Sequence, residues 1–288
     1  MKIGMLCLCT AGAGAIDTAD PVALAKKCEA LGFDSFFLSE HPIMPVDVRT
    51  PHPVMPTIPE SYAYFPDPFV CLAMAAQATS RIKIGAAVIL VPERDPIVTA
   101  KEVATLDHYC GGRFLFGVGA GWLAEETAVM GADFERRWPM TCEYIRAMKE
   151  LWTKDEASFD GEWCKFPPVR SYPKPKQKPH PPILIGAQGN RALRNTVAVG
   201  DGWMPVNYSP GQLAGYLDQL KKMCAAAGRD FDGIEITIMR PPDGDPRRLV
   251  REYREAGAHR MLLTSDALSL TPQTAERELE ELARGFLD

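Results

Sequence analysis

Two side chains that can move or hold a proton stand side by side in the triplet Ser39-Glu40-His41. His41 could serve as a general acid or base, or donate a hydrogen bond to a ring carbonyl or an alkoxide. Glu40 could hold the tautomer of His41 or contact a cofactor. The plain alternative is a histidine satisfied at the end of a strand. His52, His108, His180 and His259 lack that strand-end position, and the five histidines show no metal-ligand spacing.

Three further stretches could hold a ligand. Gly85-Ala86-Ala87-Val88 puts small residues where a flat molecule could approach the backbone, although tight packing alone would also ask for them. Gly117-Val118-Gly119-Ala120-Gly121-Trp122 is rich enough in glycine to permit positive φ and exposed amides, which suit phosphate or hydroxyl groups. Gly186-Ala187-Gln188-Gly189-Asn190-Arg191 leads from a strand into a helix, whose first N–H groups and dipole attract anions. Arg191 and Arg194 add positive charge there. An ordinary capped turn is the alternative.

Each of these stretches follows a short hydrophobic strand. Thr79 to Trp122 reads strand, loop, helix, turn, strand and glycine-rich loop, a right-handed βαβ unit with parallel strands. Arg81 to Val91 is its first strand, Ile97 to Tyr109 its helix and Arg113 to Val118 its second strand. Lys2 to Cys9 reads as the first strand of the chain and Thr10 to Asp20 as a Gly/Ala-rich loop. Asp20-Pro21 then caps a helix that ends at Gly32. Phe33 to Leu38 is the second strand. Further strands are expected at Ile183–Ile185, Trp203–Pro205, Ile234–Met239 and His259–Leu263, each followed by a helix, the last running from Thr271 to Leu287.

Eight strands alternating with eight helices argue a single (β/α)8 barrel over residues 1–288. A doubly wound dinucleotide-binding sheet is excluded. Its G-x-G-x-x-G should follow the first strand, where only Gly12-Ala13-Gly14 stands. Two segments interrupt the alternation. Residues 42–68 are crowded with proline and hold Tyr62, Tyr64 and Phe65, as expected of an ordered lid. Residues 153–182 read as an irregular, proline-rich surface strap, kept out of any sheet interior by its prolines.

The composition sets outer limits. The chain has 288 residues, 46% hydrophobic and 24% charged, as expected of a soluble globular protein rather than a disordered one. A net charge of -5 gives no electrostatic footprint for nucleic acid, and no apolar run reaches bilayer length. The opening MKIGMLCLCTAGAGA reads as a core strand rather than a signal peptide. The eight cysteines form no C-x-x-C pair and are expected as buried, reduced thiols in a cytoplasm.

Taken together, SEHPIMPVDV, DPFVCLAMAAQATSRIKIGAAVILVPERDPIVTAKEVATLDHYCGGRFLFGVGAGW, WCKFPPV with KPKQKPHPPILIGAQG, and GDGWMPV resemble the luciferase-like monooxygenase superfamily over nearly the whole chain. Within it, the chain is similar to the coenzyme F420-dependent oxidoreductases, mostly actinobacterial. The resemblance implies a pocket for a deazaflavin at the C-terminal rim of the barrel, with FMN the alternative. The ring would lie against a bulge with a non-prolyl cis peptide at Ala87-Val88. Glu40 and His41 would stand near the reactive carbon. The phosphate end would sit on Gly186, Ala187, Gln188, Gly189 and Asn190, with Gly119, Ala120, Gly121 and Trp122 lining the chain. Relatives often carry two glycines where this chain has Gly186-Ala187. Some sugar-phosphate-oxidising relatives carry a proton-donating Glu where this chain has Trp122, which points to a different substrate.

The implied activity is hydride transfer between C5 of F420 and a small organic substrate. An FMN-dependent monooxygenase with a separate reductase, and a non-catalytic (deaza)flavin-binding protein, are the alternatives. A metal site is not expected, and a homodimer is implied by the resemblance.

Overall fold

Aspartate or serine followed by proline opens one helix after another. The side chain accepts from the free amides of the first turn while proline, lacking an N–H, occupies the first helical position. Asp20 caps α1 (Pro21–Leu31), Asp67 caps α2 (Pro68–Ala78) and Asp95 caps α3 (Pro96–Tyr109) in this way. Ser209 does the same for α7 (Pro210–Ala226), in a capping box with Gln212, and Asp245 for α8 (Pro246–Glu255). Each cap contributes about 1 kcal/mol and fixes where a loop ends. The structure, a computed structural model, describes residues 1–7, 20–53, 55–264 and 272–287.

The strands between these helices close into a ring. β1 (Lys2–Leu6) lies between β2 (Ser35–Leu38) and β11 (Arg260–Thr264), with Gly4 opposite both Ser35 and Leu262. Around the ring follow β3 (Lys83–Ala86), β5 (Phe114–Gly119), β8 (Ile183–Ile185), β9 (Gly202–Trp203) and β10 (Glu235–Arg240), which returns to β11. Every pairing is parallel. This is the expected (β/α)8 barrel. α4 (Ala124–Val129), α5 (Arg137–Thr153), α6 (Gly189–Val199) and α9 (Pro272–Phe286) complete the helical layer.

Two cores follow from the alternation of side chains along parallel strands. Leu6, Phe37, Leu115, Leu184, Met239 and Leu262 fill the barrel, and a larger cluster packs the strands against the helices. The Phe37 ring lies where a Cβ on Gly85 would be, so glycine is required at that position.

The strand expected from Arg81 to Val91 is broken. β3 ends at Ala86, the Ala87–Val88 peptide is cis, and a two-residue strand, β4 (Ile89–Leu90), resumes beside β5. The Val88 side chain fills the space that a Cβ on Gly119 or Gly186 would need. These two glycines therefore have a packing reason beside any ligand.

Residues 153–182 also differ from the expected irregular strap. β6 (Ala157–Asp160) and β7 (Lys165–Val169) form an antiparallel hairpin. Pro167 and Pro168 lie within β7, which the two-stranded sheet tolerates because one side of each strand needs no partner. Among the described residues of 42–67 the backbone is irregular apart from one 3-10 stretch, Glu60–Tyr64, and Pro68 already belongs to α2. Leu8 and Cys9 of the expected first strand, the loop residues 10–19 with Gly12-Ala13-Gly14, and Thr271 lie outside the described residues. No helix among the described residues is long and apolar enough to cross a membrane.

Candidate active site

His41 follows β2 at the C-terminal rim of the barrel, where enzymes of this architecture carry their chemistry. Its Nδ1 lies 2.7 Å from Oε2 of Glu126 on α4, and both side chains are buried. Lid and rim rings surround it. Tyr62, Phe65 and Trp122 stand 5.5, 5.6 and 5.8 Å from the imidazole, centroid to centroid. His52 adds an edge contact to Trp122 at 4.7 Å. Burial, and the closeness of His41, push the His52 imidazole below its ordinary value.

Glu40 faces away from this chamber. Its Oε2 accepts the amide of Leu90 at 2.6 Å and its Oε1 accepts Nε of Arg94 at 2.7 Å. Arg94 also reaches Asp67, the cap of α2, at 2.8 Å. Burial raises the Glu40 carboxyl, and Arg94 and the Leu90 amide pull it back down. Glu40 thus fastens the end of β2 to the turn after β4. The sequence offered Glu40 as a holder of the His41 tautomer; the carboxylate on the ring is Glu126, 85 residues further along. Adjacent residues at a strand end point to opposite faces, so Glu40 and His41 cannot share a partner easily.

The same region contains Glu93, just after β4. Only 4% of it is exposed. Its Oε1 lies 2.8 Å from the Thr127 hydroxyl, and its Oε2 is buried with no hydrogen-bond partner among the described residues. Burial, then the negative charge of Glu126, push its carboxyl up to about 8. Gly121, at φ +80°, leaves room for Glu93 and Thr127.

Ser39 donates to the carbonyl of Ala87 at 3.0 Å, tying β2 to the cis peptide. At α6, Gln188 provides no side-chain cap. The Gly189 amide donates to the Tyr208 hydroxyl at 2.9 Å, and the Ala187 carbonyl accepts the Trp203 indole at 2.9 Å. Nearby, Arg137 donates through Nε to the Gly121 carbonyl at 3.0 Å. Burial and the positive charge of Arg191 lower Arg137. Arg137 therefore feels the charge of Arg191, which lies in the first turn of α6.

Glu125 ties residues 49–50 of the long segment after β2 to the start of α4. It accepts the amides of Arg49 and Thr50 at 2.8 and 3.1 Å and the Thr50 hydroxyl at 2.7 Å. No three His, Cys, Asp or Glu side chains among the described residues are grouped to hold a metal ion.

A family model described as luciferase-like monooxygenase matches residues 1–278. The chain belongs to this family. It is 41% identical over 246 residues to an uncharacterized protein of Mycobacterium tuberculosis, covering 84% of this chain and 86% of that one. An FMNH(2)-dependent dimethylsulfone monooxygenase of Pseudomonas putida is 32% identical over 180 residues, 61% of this chain and 49% of that protein. An F420-dependent glucose-6-phosphate dehydrogenase of Amycolatopsis mediterranei is 29% identical over 227 residues, 76% and 63% respectively. Among solved structures, monooxygenase RslO1 from Streptomyces bottropensis superposes with a TM-score of 0.80 at 21% identity, covering 100% and 99% of the two chains. An F420-dependent secondary alcohol dehydrogenase with an F420-acetone adduct gives 0.78 at 18%, covering 99% and 98%. These two establish the likeness of fold. Members of the family are oxidoreductases or monooxygenases that act on small molecules, and both F420 and FMN serve among the relatives.

Sequence reasoning missed Glu126, Glu93, Arg94 and Arg137. Glu126 alone left a trace, as a carboxylate a few residues beyond the glycine-rich loop.

Proposed function

We propose that the chain is a coenzyme F420-dependent oxidoreductase for a small organic substrate. The ring is taken to lie against Ala87-Val88, with the phosphate end at Gly186 to Asn190 and Gly119 to Trp122 beside the tail. The observation that carries this reading is His41, held by Glu126 at 2.7 Å within an aromatic wall at the barrel rim. When bound, the deazaflavin supplies hydride transfer at its C5 position.

The chain's own residues do the rest. His41 hydrogen-bonds the substrate oxygen or exchanges a proton with it. Tyr62, Phe65 and the lid around them exclude water and narrow the range of substrates. Beyond the Gly189 amide, which Tyr208 accepts, the start of α6 has no side-chain cap and offers its amides to a phosphate, and Arg137 and Arg191 add two positive charges. F420 carries carboxylates beyond its phosphate, whereas FMN ends at its phosphate, so the second guanidinium favours F420. Glu40 serves this site by anchoring β2. The F420-dependent relative, similar over 76% of this chain, supports the same reading.

The second reading is FMN-dependent monooxygenation with a separate reductase, favoured by the 32% identical monooxygenase. Titration of the purified protein with F420 and with FMN, followed by fluorescence quenching, separates them. F420 should bind at least about tenfold tighter, about 1.4 kcal/mol. Tighter FMN binding together with oxygen consumption would replace the first reading by the second.

A homodimer and a cytoplasmic setting are part of the proposal. Val70 and Met74 on α2 and Ile97 and Val98 on α3 expose an apolar face that a second copy could cover. The described cysteines are free and buried, as thiols in a reducing compartment would be. Light scattering tests the dimer, and Met74→Glu should dissociate it.

A further inference from the structure

The chamber holds more carboxylates than cations. Arg94 faces Glu40 and is shared with Asp67 and Glu102. Glu126 bonds the His41 ring and accepts the Ile43 amide at 3.5 Å, Glu93 bonds the Thr127 hydroxyl, and neither forms an ion pair with a lysine or arginine among the described residues. From the lid, His52 faces His41, and Glu40 is the remaining charge that bears on Glu93. Two buried carboxylates without a second cation cannot both stay ionised.

The surroundings of the two carboxyls favour one of them as the holder of the proton. The Thr127 hydroxyl lies within bonding distance of two oxygens: the Leu123 carbonyl at 3.0 Å and Glu93 Oε1 at 2.8 Å. A hydroxyl has one hydrogen to donate. When it turns to the Leu123 carbonyl four residues back, Glu93 keeps a bond to it only as a neutral acid, and the Glu93 Oε2, buried with no partner among the described residues, suits a protonated carboxyl better than a carboxylate. Glu126, by contrast, faces the His41 ring nitrogen at 2.7 Å, a length that suits a charge-assisted bond.

We propose that Glu126 is a positioning residue that keeps the proton of His41 on Nδ1 and leaves Nε2 free for the substrate, while Glu93 is its protonated, uncharged neighbour. The proposal rests on His41 as the proton-handling group of the proposed function. In the other tautomer the imidazole would turn a lone pair on a carboxylate, which repels it. Glu126 itself transfers no proton: it accepts the Nδ1–H throughout. If Glu93 were ionised, its charge would compete with Glu126 for the imidazole. Glu93 also borders an outer crevice of about 350 Å³, lined in part by Asp95, Tyr144, Trp163 and Lys165.

Two measurements on the full chain need no cofactor. Nitrogen-15 spectra of labelled histidine should show the Nδ1–H tautomer of His41 in the wild type and a mixture in Glu126→Ala, while Glu126→Gln, whose amide oxygen still accepts, keeps the wild-type form. An unchanged spectrum in a folded Glu126→Ala protein overturns the positioning role. Infrared difference spectra should show a protonated carboxyl band that fades as pH rises through about 8. Glu93→Gln should remove it, and Glu126→Gln should keep it and move its fading to lower pH, since the neighbouring charge is gone. Loss of the band in Glu126→Gln with retention in Glu93→Gln would assign the proton to Glu126 and overturn the proposal. With substrate, Glu126→Ala should lower kcat roughly 10- to 100-fold with little change in KM, the size of one lost charge-assisted hydrogen bond, and Glu126→Gln should restore part of it. If His41→Ala leaves turnover intact while the spectra behave as described, the tautomer assignment survives and the catalytic reading of His41 fails.

Discussion

The two ends of the barrel bury charge in opposite ways. At the N-terminal end Arg260, 1% exposed, reaches Asp34 at 3.0 Å through one guanidinium nitrogen and Glu235 through another, and Lys2 adds a bond to Glu235 at 3.2 Å. Two carboxylates face two cations. At the C-terminal rim Glu93 and Glu126 face one imidazole and a hydroxyl. A buried network in balance holds strands together and does little else. A buried network short of a cation has a proton to place, and perturbed carboxyls of that kind gather where chemistry is done. The Arg94–Glu40 pair resembles the bottom of the barrel although it lies near the rim, which is why Glu40 reads as an anchor rather than a reacting group.

The contrast breaks most visibly in activity. His41→Ala should lower kcat roughly 10²- to 10⁴-fold, the usual worth of a positioned general acid or base, while cofactor affinity falls less. Steady-state kinetics beside a binding titration would check both. Unchanged turnover would make the rim a second structural network.

Arg260→Met should do the reverse. It strands Asp34 and leaves Glu235 with Lys2 alone, and because both carboxylates are partly exposed the loss should be about 1–3 kcal/mol. Urea unfolding should register that loss, and the protein that stays folded should bind ligand as before. A large fall in kcat per folded molecule would blur the division between the ends.

How far each end could be read from the chain follows the same line. The barrel was legible because its signals are local: Asp-Pro caps, short apolar strands and a glycine past α1 recur at regular intervals. Within the rim, His41 was legible from its strand-end position, and the break at Ala87–Val88 from family resemblance. The partners of His41 were not. Glu126 lies 85 residues away and meets it only because α4 folds back over the rim. Glu40, the neighbour in sequence, was the natural candidate and is turned aside by Arg94. The hairpin of β6 and β7 was hidden by Pro167 and Pro168, which argue against a sheet interior but not against a two-stranded sheet.

A smaller effect concerns the lid. Bonds from the Thr50 hydroxyl and from the amides of Arg49 and Thr50 hold the Glu125 carboxyl down, at about 2. Thr50→Val removes the hydroxyl that bridges Glu125 and the Ala124 amide. With about 1 kcal/mol lost from the closed lid, KM should rise about fivefold with kcat nearly unchanged. Limited proteolysis within residues 42–68 should quicken in parallel. Because the bound carboxylate titrates below its free value, the staple is present above the ordinary carboxylate range and is lost as pH falls towards about 2. Proteolysis rates that ignore the substitution would detach Glu125 from lid closure.

The last effect bears most directly on the comparison. Glu93 is raised from 4.5 to about 8, so the folded chain holds a proton there that the unfolded chain has already released. Its contribution is full below 4.5 and is lost as pH rises through about 8, so stability should decline across that interval. Glu93→Gln keeps the shape of the neutral acid and has no proton to lose. Its stability should fall less steeply over the same range, and the two proteins should differ most at the alkaline end. Asp34→Asn at the other end, where the carboxylate is already paired, should leave the wild-type slope over that interval in place. Denaturant melts at a series of pH values read both. Equal slopes in the wild type and Glu93→Gln would mean that the rim pair is as well compensated as the network around Arg260, and the distinction between an anchoring end and a reacting end would then have to rest on His41 alone.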